Sequence, residues 1–167
     1  MSSFDSLTDA VEELAAKWAG ERAERRSPCV EAGQAMKRTV IYSDEVARGA
    51  VPLAHAVSAR GLVFVSGIPP FMPDGSVARG DFPAQMRQCL KNVGLVLKEA
   101  GVSFADVLKV NVYLADVAHV PAMNALYREA FGDEPSDWPA RTTIAAALPR
   151  EDFLLEIECI AVEPEAG

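Results

Sequence analysis

The stretch that most constrains this chain is Phe153-Leu154-Leu155-Glu156-Ile157-Glu158-Cys159-Ile160-Ala161-Val162, an apolar run broken only by two carboxylates at i and i+2. Side chains on a strand alternate between faces, so Glu156 and Glu158 share one face with Leu154, Ile160 and Val162. The acids therefore sit in partly apolar surroundings on a strand whose other face is core. Just upstream, Trp138 to Pro149 reads as a second strand, reached by a tight connection, with Arg141 at the mouth of an otherwise small and apolar segment. A guanidinium and a carboxylate in such a setting are either a structural ion pair or the polar centre of a small-molecule site.

With 167 residues the chain has room for one domain with a real core. The formal net charge of −8 argues against general phosphate-backbone binding, which needs a surplus of Lys and Arg on some face. Cys29, Cys89 and Cys159 are far apart and odd in number, and no Cys/His pair has metal-ligand spacing. Cys89 and Cys159 fall on apolar stripes and read as small buried hydrophobes. The opening Met1-Ser2-Ser3-Phe4-Asp5 has neither a basic n-region nor an apolar h-region, and no apolar run approaches the ~20 residues a membrane span needs. A cytoplasmic protein without membrane contact is the expectation.

Residues 4 to 24 read as an amphipathic helix, with Leu7, Ala10, Val11, Leu14, Ala15 and Trp18 as its stripe, and residues 25 to 36 as a linker. This extension either docks on the domain or a neighbouring subunit, or lies outside the native start. Residues 37 to 167 form the compact domain. Val40-Ile41-Tyr42 is a short strand, and Ala54–Ala59 and Leu62–Ser66 make a hairpin around Arg60-Gly61. A loop then closes on an Asp74-Gly75 turn. Phe82 to Ala100 is a helix with Met86, Cys89, Leu90, Val93, Val96, Leu97 and Ala100 buried, stopped at Gly101.

Val107 to Leu114 is a strand with Leu108, Val110, Val112 and Leu114 on one face and Lys109, Asn111 and Tyr113 on the other. Ala118 to Phe131 is a second helix ended by Gly132. Strands 62–66 and 107–114 flank a helix of the length a right-handed crossover needs. The order of elements predicts an α+β sandwich with two helices on one sheet face. The other face, carrying some of Val63/Val65, Lys109/Asn111/Tyr113 and Glu156/Glu158, is too apolar for solvent alone and predicts a homo-oligomer with clefts between subunits.

Arg141 is the first candidate for chemistry, because arginine is suited to bidentate carboxylate binding and Pro139, Ala140, Thr142 and Thr143 leave room beside it. Glu156 and Glu158 follow: one is expected to pair across the sheet or an interface, and either could position a water for attack on a C=N carbon. His55, before the hairpin, could line a cleft, while His119 at a helix start is expected to be solvated. No glycine-rich phosphate loop, Ser/His/Asp order or Cys-x-x-Cys is present. Composition and spacing lead to an acidic, oligomeric α+β domain with an Arg/Glu polar centre.

Residues 38 to 163 resemble the RidA/YjgF-type imine deaminases, once labelled L-PSP endoribonucleases. The resemblance rests on Leu62-Val63-Phe64-Val65-Ser66-Gly67, the helix Gln85 to Val93, Asp106 to Leu114, Asn124-Ala125-Leu126-Tyr127, Pro139-Ala140-Arg141-Thr142-Thr143 and Glu156 to Ala161. It implies a chorismate-mutase-like two-layer sandwich, mostly antiparallel, and a homotrimer with three clefts between subunits. It also implies hydrolysis of reactive enamines and imines to 2-keto acids and ammonia, with no metal or organic cofactor. Arg141 matches the arginine that holds the substrate carboxylate, Glu156 the acid near the attacking water, and Ser66 with Gly67 a segment lining the cleft. Leu53 and His55 stand where the family carries tyrosine and glutamine, Ile68 where a glutamine often follows Ser-Gly, and Thr143 where many members have cysteine. Carboxylate binding is thus expected to be kept in a pocket whose other wall has changed, which suits a larger or more apolar imine, an aminomuconate-like enamine, or a non-catalytic carboxylate-binding or protein-protective role. Nucleic acid is not an expected partner.

Overall fold

The computed structural model describes residues 12–17, 37–49 and 51–164. The chain divides into two units at Met36/Lys37, each described by itself. In the first, residues 12–17 are helical (α1) and all exposed. The rest of the helix expected over residues 4–24, and the linker, lie outside the described residues.

The second unit is built on one six-stranded sheet in the order β1-β2-β3-β6-β4-β5, with β1 Thr39–Ile41, β2 Ala56–Ala59, β3 Leu62–Ile68, β4 Val107–Leu114, β5 Ala140–Ala145 and β6 Leu155–Val162. Every pairing is antiparallel except β4 with β5. Helices α2 (Phe82–Glu99) and α3 (Val120–Phe131) bury their apolar faces against it, through Met86, Cys89, Val93, Val96, Leu97 and Met123. This is the α+β sandwich the element order predicts.

The β2–β3 hairpin turns on Arg60 and Gly61, both at positive φ (55° and 76°), the backbone a two-residue type I′ turn requires. Asp81 caps α2, its Oδ1 accepting from the Ala84 N–H at 3.0 Å. At the other end the Gly101 N–H donates to Lys98 O and the Val102 N–H to Leu97 O, the paired bonds of a Schellman cap with glycine at φ 77°. The inner face of α2 also carries Gln85, Gln88 and Asn92, which an apolar reading misses. Gln85 Nε2 donates to the carbonyls of Ala78 and Asp152, and its Oε1 accepts from the Leu154 N–H. Asn92 Nδ2 donates to Pro69 O and Phe71 O. These amides satisfy the backbone of the loop after β3 and of the approach to β6, the segments that follow Ser66-Gly67 and precede the two acids.

Several expectations are corrected. The crossover through α2 does join two parallel strands, β3 and β4, but β6 lies between them and runs antiparallel to both. Likewise β5 and β6 are separated by β4. Val63 and Val65 are buried under the helices, and Phe64, 45% exposed, is the β3 residue on the open face. Leu108 is 51% exposed while Val107 is buried, since an irregularity between Val107 and Lys109 breaks the alternation that would place Leu108 with Val110. Leu154 precedes β6 and packs against the core. Helix α3 begins at Val120, after a 3-10 turn over Val117–His119. No helix among the described residues is long and apolar enough to cross a membrane.

Candidate functional site

Glu156 lies on the open face of β6, opposite Tyr113 of β4. It is half-buried, and burial first, then the neighbouring Glu158 charge, raise its carboxyl above the ordinary glutamate range. The two acids differ in their partners. Glu158 Oε1 accepts from Asn111 Nδ2 at 2.7 Å and from Tyr113 Oη at 2.8 Å, and the hydrogen bond to Glu158 is the first cause of an upward shift in the Tyr113 phenol. Glu156 has no hydrogen-bond partner among the described residues.

What Glu156 meets instead is Gly67. The β3–β6 register shifts between Val65 and Ile68, and at this bulge the Glu156 carboxylate occupies the space a Cβ on Gly67 would fill, its Cδ only 3.0 Å from that position. Ser66 sits in the same bulge, its N–H donating to His55 O at 3.0 Å and its hydroxyl to Ala54 O at 2.7 Å. Ala54 and His55 therefore run beside Ser66, whereas Leu53, exposed, lines a depression with Tyr42, Val51 and Pro52. Gly67→Ala is expected to leave stability nearly intact, because the obstructing group is the far end of a flexible side chain. By displacing the acid it should lower any rate that depends on Glu156 on the order of tenfold, since a 1 Å misplacement can cost ~10²-fold. Thermal melts beside steady-state kinetics measure both.

His55 is buried rather than lining the surface. Its Nδ1 accepts from the Ser43 N–H at 3.1 Å, its ring meets Tyr42 edge-on at 5.6 Å, and burial, then the Arg48 charge, lower its pKa. A neutral imidazole with its proton on Nε2 fits these contacts. His119 is not solvated: its ring stacks on Phe82 at 4.3 Å, and its Nδ1 is buried without a hydrogen-bond partner.

Arg141 is on the other side of the sheet. It pairs in register with Val110, whose side chain is under the helices, and it reaches α3. Its Nη2 donates to Asn124 Oδ1 at 2.7 Å, its Nη1 lies 3.6 Å from Met123 Sδ, and its guanidinium is 4.7 Å from the centroid of the Tyr127 ring. Burial pushes the Tyr127 phenol up, and its hydroxyl, like that of Thr143, is buried without a partner. Arg141 makes no ion pair among the described residues. It opens into a cavity of about 330 Å³ lined by Asn124, Tyr127, Arg128, Trp138, Pro139 and Arg141.

The chain thus carries two half-sites. One holds Ser66, Gly67 and Glu156, the other Arg141, Asn124 and Tyr127, with Thr143 two residues along on the same face of β5; Leu53 is not brought to either. Between Arg141 and Glu156 lie two strand spacings of ~4.8 Å each, three residues or ~10 Å along the strand, and the thickness of the sheet. One small ligand cannot touch both in a single chain. Asn124, Tyr127 and Trp138 escape a reading confined to Arg141. Their sequence signals are that Asn124 and Tyr127 stand three apart on one helix face and fall in one of the segments that carry the family resemblance. Among the described residues no group of three or more His, Cys, Asp or Glu side chains is placed to hold a metal ion.

Comparison with known proteins bears on this arrangement. The family model described as Endoribonuclease L-PSP matches residues 45–163. A RutC family protein of Pyrococcus abyssi is 34% identical over 127 residues, covering 75% of this chain and 98% of that protein. The chloroplastic Reactive Intermediate Deaminase A of Arabidopsis thaliana is 33% identical over 127 residues, 75% of this chain and 66% of that protein. Among solved structures, Escherichia coli TdcF with bound serine superposes with a TM-score of 0.69 at 29% identity, covering 75% of this chain and 99% of TdcF. The Escherichia coli YjgF gene product does so at 0.69 and 30%. The fold and the sequence agree, and the chain belongs to the RidA/YjgF family.

Proposed function

We propose that the protein is an enamine/imine deaminase that hydrolyses reactive 2-imino and enamine acids to 2-keto acids and ammonia. The observation that carries this is the Arg141 guanidinium, held by Asn124 and laid over Tyr127 at the mouth of a small cavity. Such a planar donor, oriented but without an acid of its own, suits a ligand carboxylate. A relative named as a reactive intermediate deaminase and a family structure holding serine, itself a small amino acid, support the same reading.

Because Arg141 and Glu156 lie on opposite faces, the proposal includes a site shared between copies, with Arg141 of one protomer facing the Glu156 half-site of the next. The half-apolar open face, with Val40, Phe64 and Ile144 exposed, is the surface a homotrimer would cover. Glu156 then orients a water onto the C=N carbon and takes up its proton as the C–O bond forms. From the protonated imine this leaves a neutral carbinolamine, and Glu156 returns that proton to nitrogen. The hydroxyl gives its own proton to the freed carboxylate as the C–N bond breaks and C=O forms. Ammonia and the 2-keto acid leave, and the carboxyl passes the last proton to solvent. Imine hydrolysis is intrinsically easy, so orientation and one positioned water supply what is needed. No cofactor is required by this scheme, and the cytoplasm is its proposed place, although two relatives from Schizosaccharomyces pombe are named as mitochondrial.

The test follows the decay of 2-aminoacrylate released from serine by a dehydratase, with and without the protein. Accelerated formation of pyruvate and ammonia is expected. An unchanged decay rate across a panel of imino acids would overturn the reading, and ligand binding without turnover would favour a carboxylate-binding member of the same fold.

A further inference from the structure

The cavity beside Arg141 holds a second cation that the proposed reaction does not use. Arg128, on α3, lines the same space of about 330 Å³, and no acidic side chain lines it. The Arg128 guanidinium carbon is 5.1 Å from the Trp138 ring centroid. Trp138 is fixed in turn by its Nε1–H, which donates to Gly132 O at 3.0 Å. A cation over an indole is attracted by the ring's negative face, so Arg128 is held at the rim of the cavity. Its one ion pair among the described residues runs from Nη1 to Asp133 at 3.3 Å, and the Asp133 side chain is 82% exposed. Water screens such a pair, so Asp133 offsets little of the positive charge facing the cavity.

Two guanidiniums around one small cavity, with no carboxylate in its lining, leave positive charge that a monocarboxylic ligand meets only once. A neutral side chain laid against Arg128 would strip water from the cation without replacing its hydrogen bonds. A second carboxylate replaces them with charge-assisted bonds. The cavity volume lies at the small end of the ~300–1,000 Å³ usual for small-molecule sites, which suits a short diacid. An aromatic side chain stacked on Trp138 fits less well, because Arg128 already takes an indole face.

We infer that Arg128 makes the cavity selective for dicarboxylic 2-imino or enamine acids, with the reacting end's carboxylate on Arg141 and the distal carboxylate on Arg128. The reactive group of this ligand rests on the deaminase reading, whereas the pairing of two carboxylates with two arginines can be read from binding alone.

Two measurements test it on the full-length protein. The first is kcat/KM for 2-iminoglutarate and for 2-iminopropanoate, each generated in place by an amino acid oxidase. The second is calorimetric titration with glutarate and with butyrate, neither of which reacts. The diacid is expected to be preferred on the order of tenfold in both, about what one added charge-assisted contact supplies. Arg128→Gln should abolish that preference, through KM rather than kcat, and Arg128→Lys should restore part of it. A diacid-to-monoacid ratio unchanged by Arg128→Gln, or a wild-type preference for a phenylalanine-derived imine, would overturn the inference. Glutarate binding that depends on Arg128 without turnover of any imine would sustain it and sink the deaminase reading. Turnover without a diacid preference would do the reverse.

Discussion

Arg141→Ala is expected to lower kcat/KM for 2-imino acids on the order of 100-fold or more while leaving the melting temperature nearly unchanged. A hydrogen bond to a charged group contributes ~1.5–3 kcal/mol, and each 1.4 kcal/mol is tenfold in rate. A bidentate clamp that also orients the C=N carbon loses both contributions at once. Stability is little affected because Arg141 is exposed and its contacts, to Asn124 and over the Tyr127 ring, are a surface hydrogen bond and a surface cation–π contact. Arg141→Lys keeps the charge but loses the planar fork, so it should recover only part of the activity. An imine lacking the carboxylate separates binding from folding, since Arg141→Ala should leave its slow turnover unchanged. Full activity of Arg141→Ala on 2-iminopropanoate would remove the clamp from the mechanism.

The residue types at the centre of this site were legible in the sequence, and the face was legible for the two acids but not for Arg141. Alternation in β6 placed Glu156 and Glu158 together because apolar and acidic residues alternate there, and the structure keeps them on one face. β5 reads Ala-Arg-Thr-Thr-Ile-Ala, which carries no such contrast, so nothing in it says that Arg141 turns toward α3. β3 fails for the opposite reason. Leu62 to Val65 is apolar at every position, so sequence could not tell that Phe64 and not Val63 or Val65 meets the open face. Helix α2 was legible to within a residue because its period and the stop at Gly101 agree. Its buried amides were not, since Gln85 and Asn92 answer to the backbone of distant loops and Gln88 donates to Asn92, so none of them follows the apolar pattern. Strand order also lay beyond local pattern. Inserting β6 between β3 and β4 is a long-range choice that buries Leu155, Ile157, Cys159 and Ala161 in the middle of the sheet.

Glu156→Gln separates function from stability in the opposite sense to most substitutions. Activity should fall by ~10²–10⁴-fold, the range a positioned acid–base group supplies, because an amide cannot take the proton from water. Stability should rise. Burial and the Glu158 charge raise the carboxyl of Glu156 in the folded chain, so the protonated form is the one the fold favours. Its contribution to stability is complete below the unfolded glutamate pKa of about 4.3 and is lost as pH rises through the higher folded value. Glutamine mimics the protonated form at every pH. The melting temperature of Glu156→Gln should therefore match the wild type near pH 4 and exceed it near neutrality. The same raised pKa places the acid limb of the wild-type pH–rate profile above the ordinary glutamate range. A variant that is both inactive and less stable at neutral pH would show that the Glu156 carboxylate is a structural anion, and would move the search for the water-orienting group elsewhere.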